Sequence, residues 1–319
     1  MEHEIAGQAV KAAMDGALVG TADRKKEPMT GKKALKAMER VMNALFFICG
    51  MVAVAFVLLI SIYLIISGLP AILEIGPINF LFGTRWYAST GDFGIFAIIL
   101  TSFAGTAGAI LVGVPIGLMT AIFLSKVAPP KFAAVVHAAV ELLAGIPSVV
   151  YGLVGMILLV PAIRVAFDLP SGATLLAAII VLAVMILPSI VSVSETALRA
   201  VPREYEEASL ALGATHIETV FRVSVPAARS GIATAIVLGI GRAIGEAMAV
   251  MMVAGNSPNM PDSPFRSVTF LTTAIAKEMS YAGGLQRQAL FSIALVLFVF
   301  IMIINVVLNV VLKGGSRDE

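Results

Sequence analysis

The chain has one cysteine, Cys49, three histidines and one tryptophan in 319 residues, and only 13% of its residues are charged. A lone cysteine cannot close an intrachain disulfide, and Cys49 sits inside an apolar run, where packing is its expected role. His3, His137 and His216 are too dispersed to suggest a metal site. A phosphate-cradling loop is missing too, because Gly31-Lys-Lys has neither the upstream glycine nor the following Ser or Thr. The net charge of +2 is spread around the apolar runs instead of forming a stripe, which leaves no footprint for nucleic acid. So little charge, against 59% aliphatic and aromatic residues and a mean hydropathy of +0.98, excludes an ordinary soluble globular chain. No catalytic group and no cofactor are expected.

What the chain does have is apolar runs. With about 20 apolar residues per span as the ruler, six transmembrane helices are expected near 41–67, 94–124, 141–162, 173–194, 230–254 and 288–312. The fold class is all-α, a polytopic protein with the lipid bilayer as its solvent. Residues 1–40 carry eight Lys or Arg and read as a basic cytoplasmic leader, partly disordered. The first apolar run starts near Val41 and is longer than a signal core, so it is expected to stay as an anchor. Sixteen Lys and Arg fall on one side of the spans and five on the other, with Arg242 inside a span. This asymmetry puts both termini in the cytoplasm. Glu195 to Arg229 is then cytoplasmic, and the loops with Trp86, Tyr87 and Tyr281 face outward.

The stretch from Glu195 to Asn256 is where charge and turn signals concentrate. Pro202, a run of acidic residues and Gly213 bound one short helix. Thr215-His-Ile-Glu218 is a capping box opening a second, which Pro226 is expected to stop. The apolar positions Tyr205, Ala208, Ala211, Leu212, Ile217, Val220 and Phe221 make a wedge. It could pack under the bundle, but a short capped wedge with a charged back fits the groove of a soluble partner better. Beyond it, Gly241-Arg-Ala-Ile-Gly-Glu246 puts a guanidinium and a carboxylate one turn apart on one face of the fifth span. A charge at a span centre costs roughly 2.5 to 3.5 kcal/mol on insertion scales, so Arg242 and Glu246 are either a structural salt bridge or the lining of an anion route. Arginine suits an oxyanion because its planar donors bind two oxygens at once. His137 and Glu141, also one turn apart, read as a structural hydrogen bond rather than a proton relay.

Spans two and three are rich in glycine and proline, among them Gly105, Gly108, Gly113, Pro115 and Gly117, then Gly145, Pro147, Gly152 and Gly155. Gly113 to Gly117 and Gly241 to Gly245 are both small-xxx-small patterns. Plain helix packing accounts for such glycines. Helices broken around a pathway, with Gly145 and Pro147 as one break, are the sharper reading.

Glu207-Ala-Ser-Leu-Ala-Leu-Gly213, followed after nine residues by Val223-Ser-Val-Pro226, resembles the EAA coupling loop of ABC-importer permeases. Ser209 replaces the second alanine, and valines stand at the Ile and Leu positions of the pattern. Glu141 to Gly152 and Gly241 to Asn256 look like the phosphate-specific permeases, the second segment nearer the PstC type than its PstA partner. The resemblance covers about Phe93 to Leu312.

It implies a MetI-like permease of a type I importer, with 93–313 as permease core and a coupling loop at 195–229, while the apolar runs and the Lys and Arg count place 41–92 as first span and extracytoplasmic loop and 314–319 as a cytoplasmic tail. It also implies partners: a PstA-type second permease, a cytoplasmic PstB-type ATPase dimer and an extracytoplasmic PstS-type phosphate-binding protein. The resemblance carries Glu204, Glu207, Ala208, Gly213 and Pro226 into ATPase coupling, and Arg242 and Glu246 into phosphate passage. A permease for molybdate or sulfate, and a membrane partner in phosphate sensing, are the alternatives.

Overall fold

The structure, a computed structural model, describes residues 29–314. The expected leader up to residue 28 and the tail from 315 lie outside the described residues. The chain divides into two units, residues 1–62 and 63–319. In the first, the helix α1 (Met29–Ile75) is apolar on every side from Val41 to Ile60, and these side chains are exposed all round, as expected of a helix solvated by lipid.

The second unit takes over the helix at Tyr63. There the end of α1 packs on α14 (Gly284–Gly314), where the Ser292 hydroxyl donates to the Gly68 carbonyl and Tyr63 meets Phe291 edge-on at 5.7 Å. After α2 (Pro77–Phe82) a two-residue hairpin, β1 (Trp86–Tyr87) against β2 (Asp92–Phe93), pairs Trp86 with Phe93. Its rings bury against Phe80, Ile95, Leu271 and Leu290.

The core is built on two long helices, α3 (Phe96–Ile122) and α7 (Leu175–Arg199). A β-carbon on Gly108, Gly113 or Gly117 of α3 would stand 2.6, 2.8 and 2.8 Å from the side chains of Ile179, Ile186 and Ile190 of α7. The glycines leave a trough, and the isoleucines fill it. Despite Pro115, α3 is unbroken, so in this span packing is the whole account of the glycines.

The third expected span begins later than 141. A separate helix, α4 (Pro130–Gly145), precedes it, and the crossing helix starts at α5 (Ser148–Val154) and continues through α6 (Val160–Ala166). Around the coupling segment lie α8 (Arg203–Ala211), α9 (His216–Thr219) and α10 (Val225–Ala227). The fifth span is α11 (Arg229–Gly245) followed by α12 (Met248–Val253), and α13 (Leu271–Glu278) lies before α14. Among the described residues five helices are long and apolar enough to cross a membrane, and the bent pair His216–Ala227 and Arg229–Gly245 makes six.

Three π-helical turns interrupt these helices, at Phe123–Val127, Gly155–Leu159 and Val220–Ser224. Each closes with a hydrogen bond from the residue just before a proline to the carbonyl five residues back: Ala128 to Phe123, Val160 to Gly155 and Val225 to Val220. Proline has no N–H and its ring crowds the carbonyl four residues earlier, and a wider turn relieves that crowding. This corrects the expectation that Pro226 stops its helix. The helix passes Pro226 to Ala227 and then bends by 70° into α11.

Candidate functional site

Two places on the second unit hold the residues singled out by sequence. The first is the helix pair α8 to α10. Pro202 caps α8 from outside instead of occupying its first turn, and Gly213 turns the chain at φ +90°, a conformation that costs a glycine nothing. Thr215 and Glu218 form the full capping box, and the hydrogen bonds from Thr215 hold the Glu218 carboxyl below its ordinary range. The Ser209 hydroxyl lies 3.0 Å from that of Thr219, so the residue that departs from the alanine pattern pins the two helices together.

The apolar wedge does not pack under the bundle. Leu212 is 90% and Ile217 69% exposed, Tyr205, Leu210 and Phe221 are exposed beside them, and of the wedge only Val220 is buried. Glu204, Glu207, Ala208, Gly213 and Pro226 are all exposed as well.

What sequence reading missed is the attachment of this pair. Lys126, in the π turn that ends α3, forms an ion pair with Glu206, whose carboxylate also accepts from the Ser224 hydroxyl at 2.8 Å. A ring nitrogen of His216 reaches the Lys126 carbonyl at 3.1 Å. Partial burial would raise the Glu206 pKa, but the Lys126 and Ser224 hydrogen bonds and the Lys126 charge outweigh it and hold the pKa below the usual carboxylate range. Eighty residues separate Lys126 from Glu206, so no local pattern announces the pair.

Glu195, read as the start of the coupling segment, belongs instead to α7. It is buried, with Arg199 at 2.7 Å and His137 at 3.6 Å, and His137 stands 3.5 Å from Glu141. His137 therefore bridges two carboxylates, one of them buried.

The second place is a pair of helix breaks. At the first, α4 ends at Gly145, Ile146 is extended because the following Pro147 disfavours the helical conformation before it, and α5 starts at Ser148. The Tyr151 hydroxyl donates back across the break to the Leu143 carbonyl at 2.7 Å. At the second, α11 ends at Gly245, Glu246 is extended at φ −74°, ψ 124°, and α12 starts at Met248. Here Glu246 Oε1 accepts from the Ala249 N–H at 2.9 Å and the Glu246 carbonyl accepts from the Thr272 hydroxyl at 2.8 Å.

The two breaks are neighbours. Gly152 of α5 lies so close to α12 that a β-carbon there would meet the Ala249 Cα at 2.8 Å. Arg242, in the last turn of α11 and half-buried, acts electrostatically on Tyr151 of the other break. Its charge also suits the negative end of the α11 dipole.

The expectation that Arg242 and Glu246 share one helical face is corrected by the break between them. Among the described residues no ion pair joins the two, and Glu246 caps α12 instead. The arrangement is an arginine, a tyrosine and a capping carboxylate near two places where one helix ends and the next begins. Such irregular backbone is tolerated at membrane depth where it lines a cavity or is covered by protein.

A bundle of apolar helices long enough to cross a membrane, with an exposed helix pair at one end, defines a polytopic membrane protein. The chain belongs to the family of binding-protein-dependent transport system inner membrane components, whose model matches residues 113–314. Within that class it is 42% identical over 267 residues to a probable ABC transporter permease, YqgH of Bacillus subtilis, covering 81% of this chain and 86% of the relative. It is 35% identical over 284 residues to the phosphate transport system permease PstC of Haemophilus influenzae, covering 83% and 89%. In fold it is similar to a chain of the MetNI methionine ABC transporter in inward-facing form, with TM-score 0.56 and 23% identity over 68% of this chain and 94% of that one. A bacterial alginate ABC transporter in complex with its alginate-bound periplasmic protein gives 0.58 at 15% identity, over 88% and 96%.

Proposed function

We infer that this chain is a transmembrane permease subunit of an ATP-driven importer of inorganic phosphate. The observation that carries the reading is the helix pair of residues 203–227, which displays its apolar side chains to solvent while ion-pairing its inner side to the end of α3. The similarity to PstC over most of the chain supports phosphate as the cargo.

A soluble ATPase dimer docks on the exposed wedge around Tyr205, Leu212 and Ile217, with Glu204 and Glu207 on its rim. The Lys126–Glu206 pair carries its movement into α3, and the bend at Ala228 carries it into α11. Those helices lead to the two breaks, so closure of the ATPases reaches Arg242. There the guanidinium holds the oxyanion while it passes, weakly enough for release. A second, related permease completes the pathway, and an outer phosphate-binding protein delivers the ion. Both termini are cytoplasmic, and ATP hydrolysis belongs to the partner chains.

The test is ATP-dependent uptake of inorganic phosphate into proteoliposomes holding the reconstituted complex, with hydrolysis followed in parallel. Wild-type uptake that responds to phosphate but not to sulfate or molybdate is expected. Arg242→Gln is expected to cut uptake at least tenfold with hydrolysis retained. Uptake driven by sulfate or molybdate instead would overturn the choice of cargo, and undiminished uptake in Arg242→Gln would remove that residue from the route.

A further inference from the structure

The Glu195 carboxylate near the end of α7 is a buried charge that neither the coupling pair nor the helix breaks use. Burying a carboxylate is costly unless it is paired. Arg199, one turn on, takes one oxygen at 2.7 Å. The other oxygen faces His137 Nε2 of α4 at 3.6 Å, and the opposite ring nitrogen, Nδ1, faces Glu141 Oε1 at 3.5 Å.

Both nitrogens of one ring therefore point at carboxylates. A neutral imidazole carries a single N–H, so whichever nitrogen lacks it sets a lone pair against a carboxylate oxygen, and only the imidazolium donates on both sides. The two separations lie beyond hydrogen-bond length. The ring is within reach of both carboxylates and closed on neither.

Between α4 and α7 two carboxylates stand against one guanidinium, and a proton on His137 supplies the charge that balances them. The neighbouring elements bring two more cations. The π turn at Phe123–Val127 meets α4 through the rings of Phe123 and Phe132 at 5.8 Å and holds Lys126, an ammonium taken by Glu206. Arg229 opens α11, whose Gly231 lies against Ala197 of α7.

The helix that carries His137 runs into the first break. Past His137 the Leu143 carbonyl accepts from the Tyr151 hydroxyl across Gly145 and Pro147, and Tyr151 is the residue on which Arg242 acts. In contrast, α7 is set in the core by the isoleucines that fill the trough of α3. A clamp between α4 and α7 ties the first break to the packed core. Histidine is the side chain whose charge ordinarily changes between about pH 5 and 8.

We propose that His137 is a positioning residue that acts as a protonation latch: charged, it clamps α4 to α7 and slows the movement of the first break, and neutral, it lets α4 go. This rests on the reading of the chain as a permease whose breaks move during transport.

The test is ATP-dependent phosphate uptake and hydrolysis by the reconstituted complex in proteoliposomes, compared at pH 8 and pH 6, a range in which histidine changes charge. Phosphate itself titrates there, so each variant is read against wild type at the same pH. His137→Gln, which keeps a donor and cannot charge, is expected to match wild type at pH 8 and to turn over roughly threefold faster at pH 6, with the phosphate moved per ATP unchanged. His137→Lys, charged throughout, should run about threefold slower than wild type at pH 8 and equal it at pH 6. Glu195→Gln should follow His137→Gln, and if it fails to assemble the two His137 variants decide. A merely structural role would slow both His137 variants alike at both pH values. That outcome, or parallel profiles for His137→Gln and wild type, would overturn the latch.

Nitroxide labels at Ala134→Cys on α4 and Thr196→Cys on α7, both exposed positions, in a Cys49→Ser background give a reading that does not depend on transport. Acidification should draw the labels into one short-distance population in wild type and leave them unchanged in His137→Gln. Labels that stay unchanged in both while phosphate uptake proceeds would overturn the latch alone. Labels that respond through His137 in a complex that takes up no phosphate would overturn the permease reading and not the clamp.

Discussion

The glycines of α3 and those at the helix breaks share one sequence pattern and do opposite things. On α3 the spacing that includes Gly113 and Gly117 receives the isoleucines of α7, with no room left for a β-carbon. At Gly145, Gly241 and Gly245 a β-carbon would meet nothing within 4 Å. The first set closes the chain on itself. The second leaves backbone uncovered, with Gly241 and Gly245 on either side of Arg242 in sequence. A small-xxx-small pattern therefore reports a bare stripe of helix and does not say what comes to lie on it.

The largest effect should come from filling the closed trough. Gly113→Leu forces a side chain into the space of Ile186, beyond the 1 to 3 kcal/mol usual for overpacking, and is expected to abolish recovery of monodisperse complex on size exclusion. Gly241→Ala should leave recovery and thermal unfolding unchanged, and a loss of folding there would erase the contrast.

Next is Glu246. If its carboxylate only caps α12, Glu246→Gln keeps an oxygen for the Ala249 N–H, and uptake should stay within about twofold. Glu246→Ala removes the cap, worth about 1 kcal/mol, and should lower the unfolding temperature. A tenfold uptake loss in Gln with unchanged unfolding would give the charge a part in passage.

A smaller effect is expected at the attachment of the coupling pair. Glu206→Gln should lower the phosphate moved per ATP hydrolysed several-fold while leaving hydrolysis intact. Folding depresses the Glu206 pKa, so its contribution is complete above the unfolded carboxylate value and is lost as pH falls through the lower folded value. Between pH 6 and 8 the wild-type ratio should therefore show no dependence traceable to this group. The smallest effect is at the capping box, where Thr215→Ala should cost about 1 kcal/mol in thermal unfolding with uptake nearly unchanged.

Local chemistry made much of this legible. Apolar runs counted the spans, Gly213 and the Thr215 box outlined the helix pair, and Pro147 marked its break because proline constrains the residue before it. The break at Glu246 has no such mark. Gly-Glu-Ala-Met holds good helix formers after its glycine, and the interruption is sustained by the Thr272 hydroxyl, twenty-six residues away. The last turn of α7 was misread for the same reason. Glu195 and Arg199 look like loop charges until His137 and the body of the helix are placed around them. Lys126 and Glu206 each look like ordinary surface residues, and only the folded chain pairs them.

The three π turns, each closing just before a proline, make the spans adjustable rods. An α-helix advances 100° per residue, so each π turn holds one peptide unit beyond what the helical repeat needs. Deleting a single residue within Gly155–Leu159 would restore an ordinary α-helical turn and leave Val160–Ala166 facing nearly as before. The same slack lets a lineage gain or lose a residue at these three places while the helix on both sides of the turn keeps its facing.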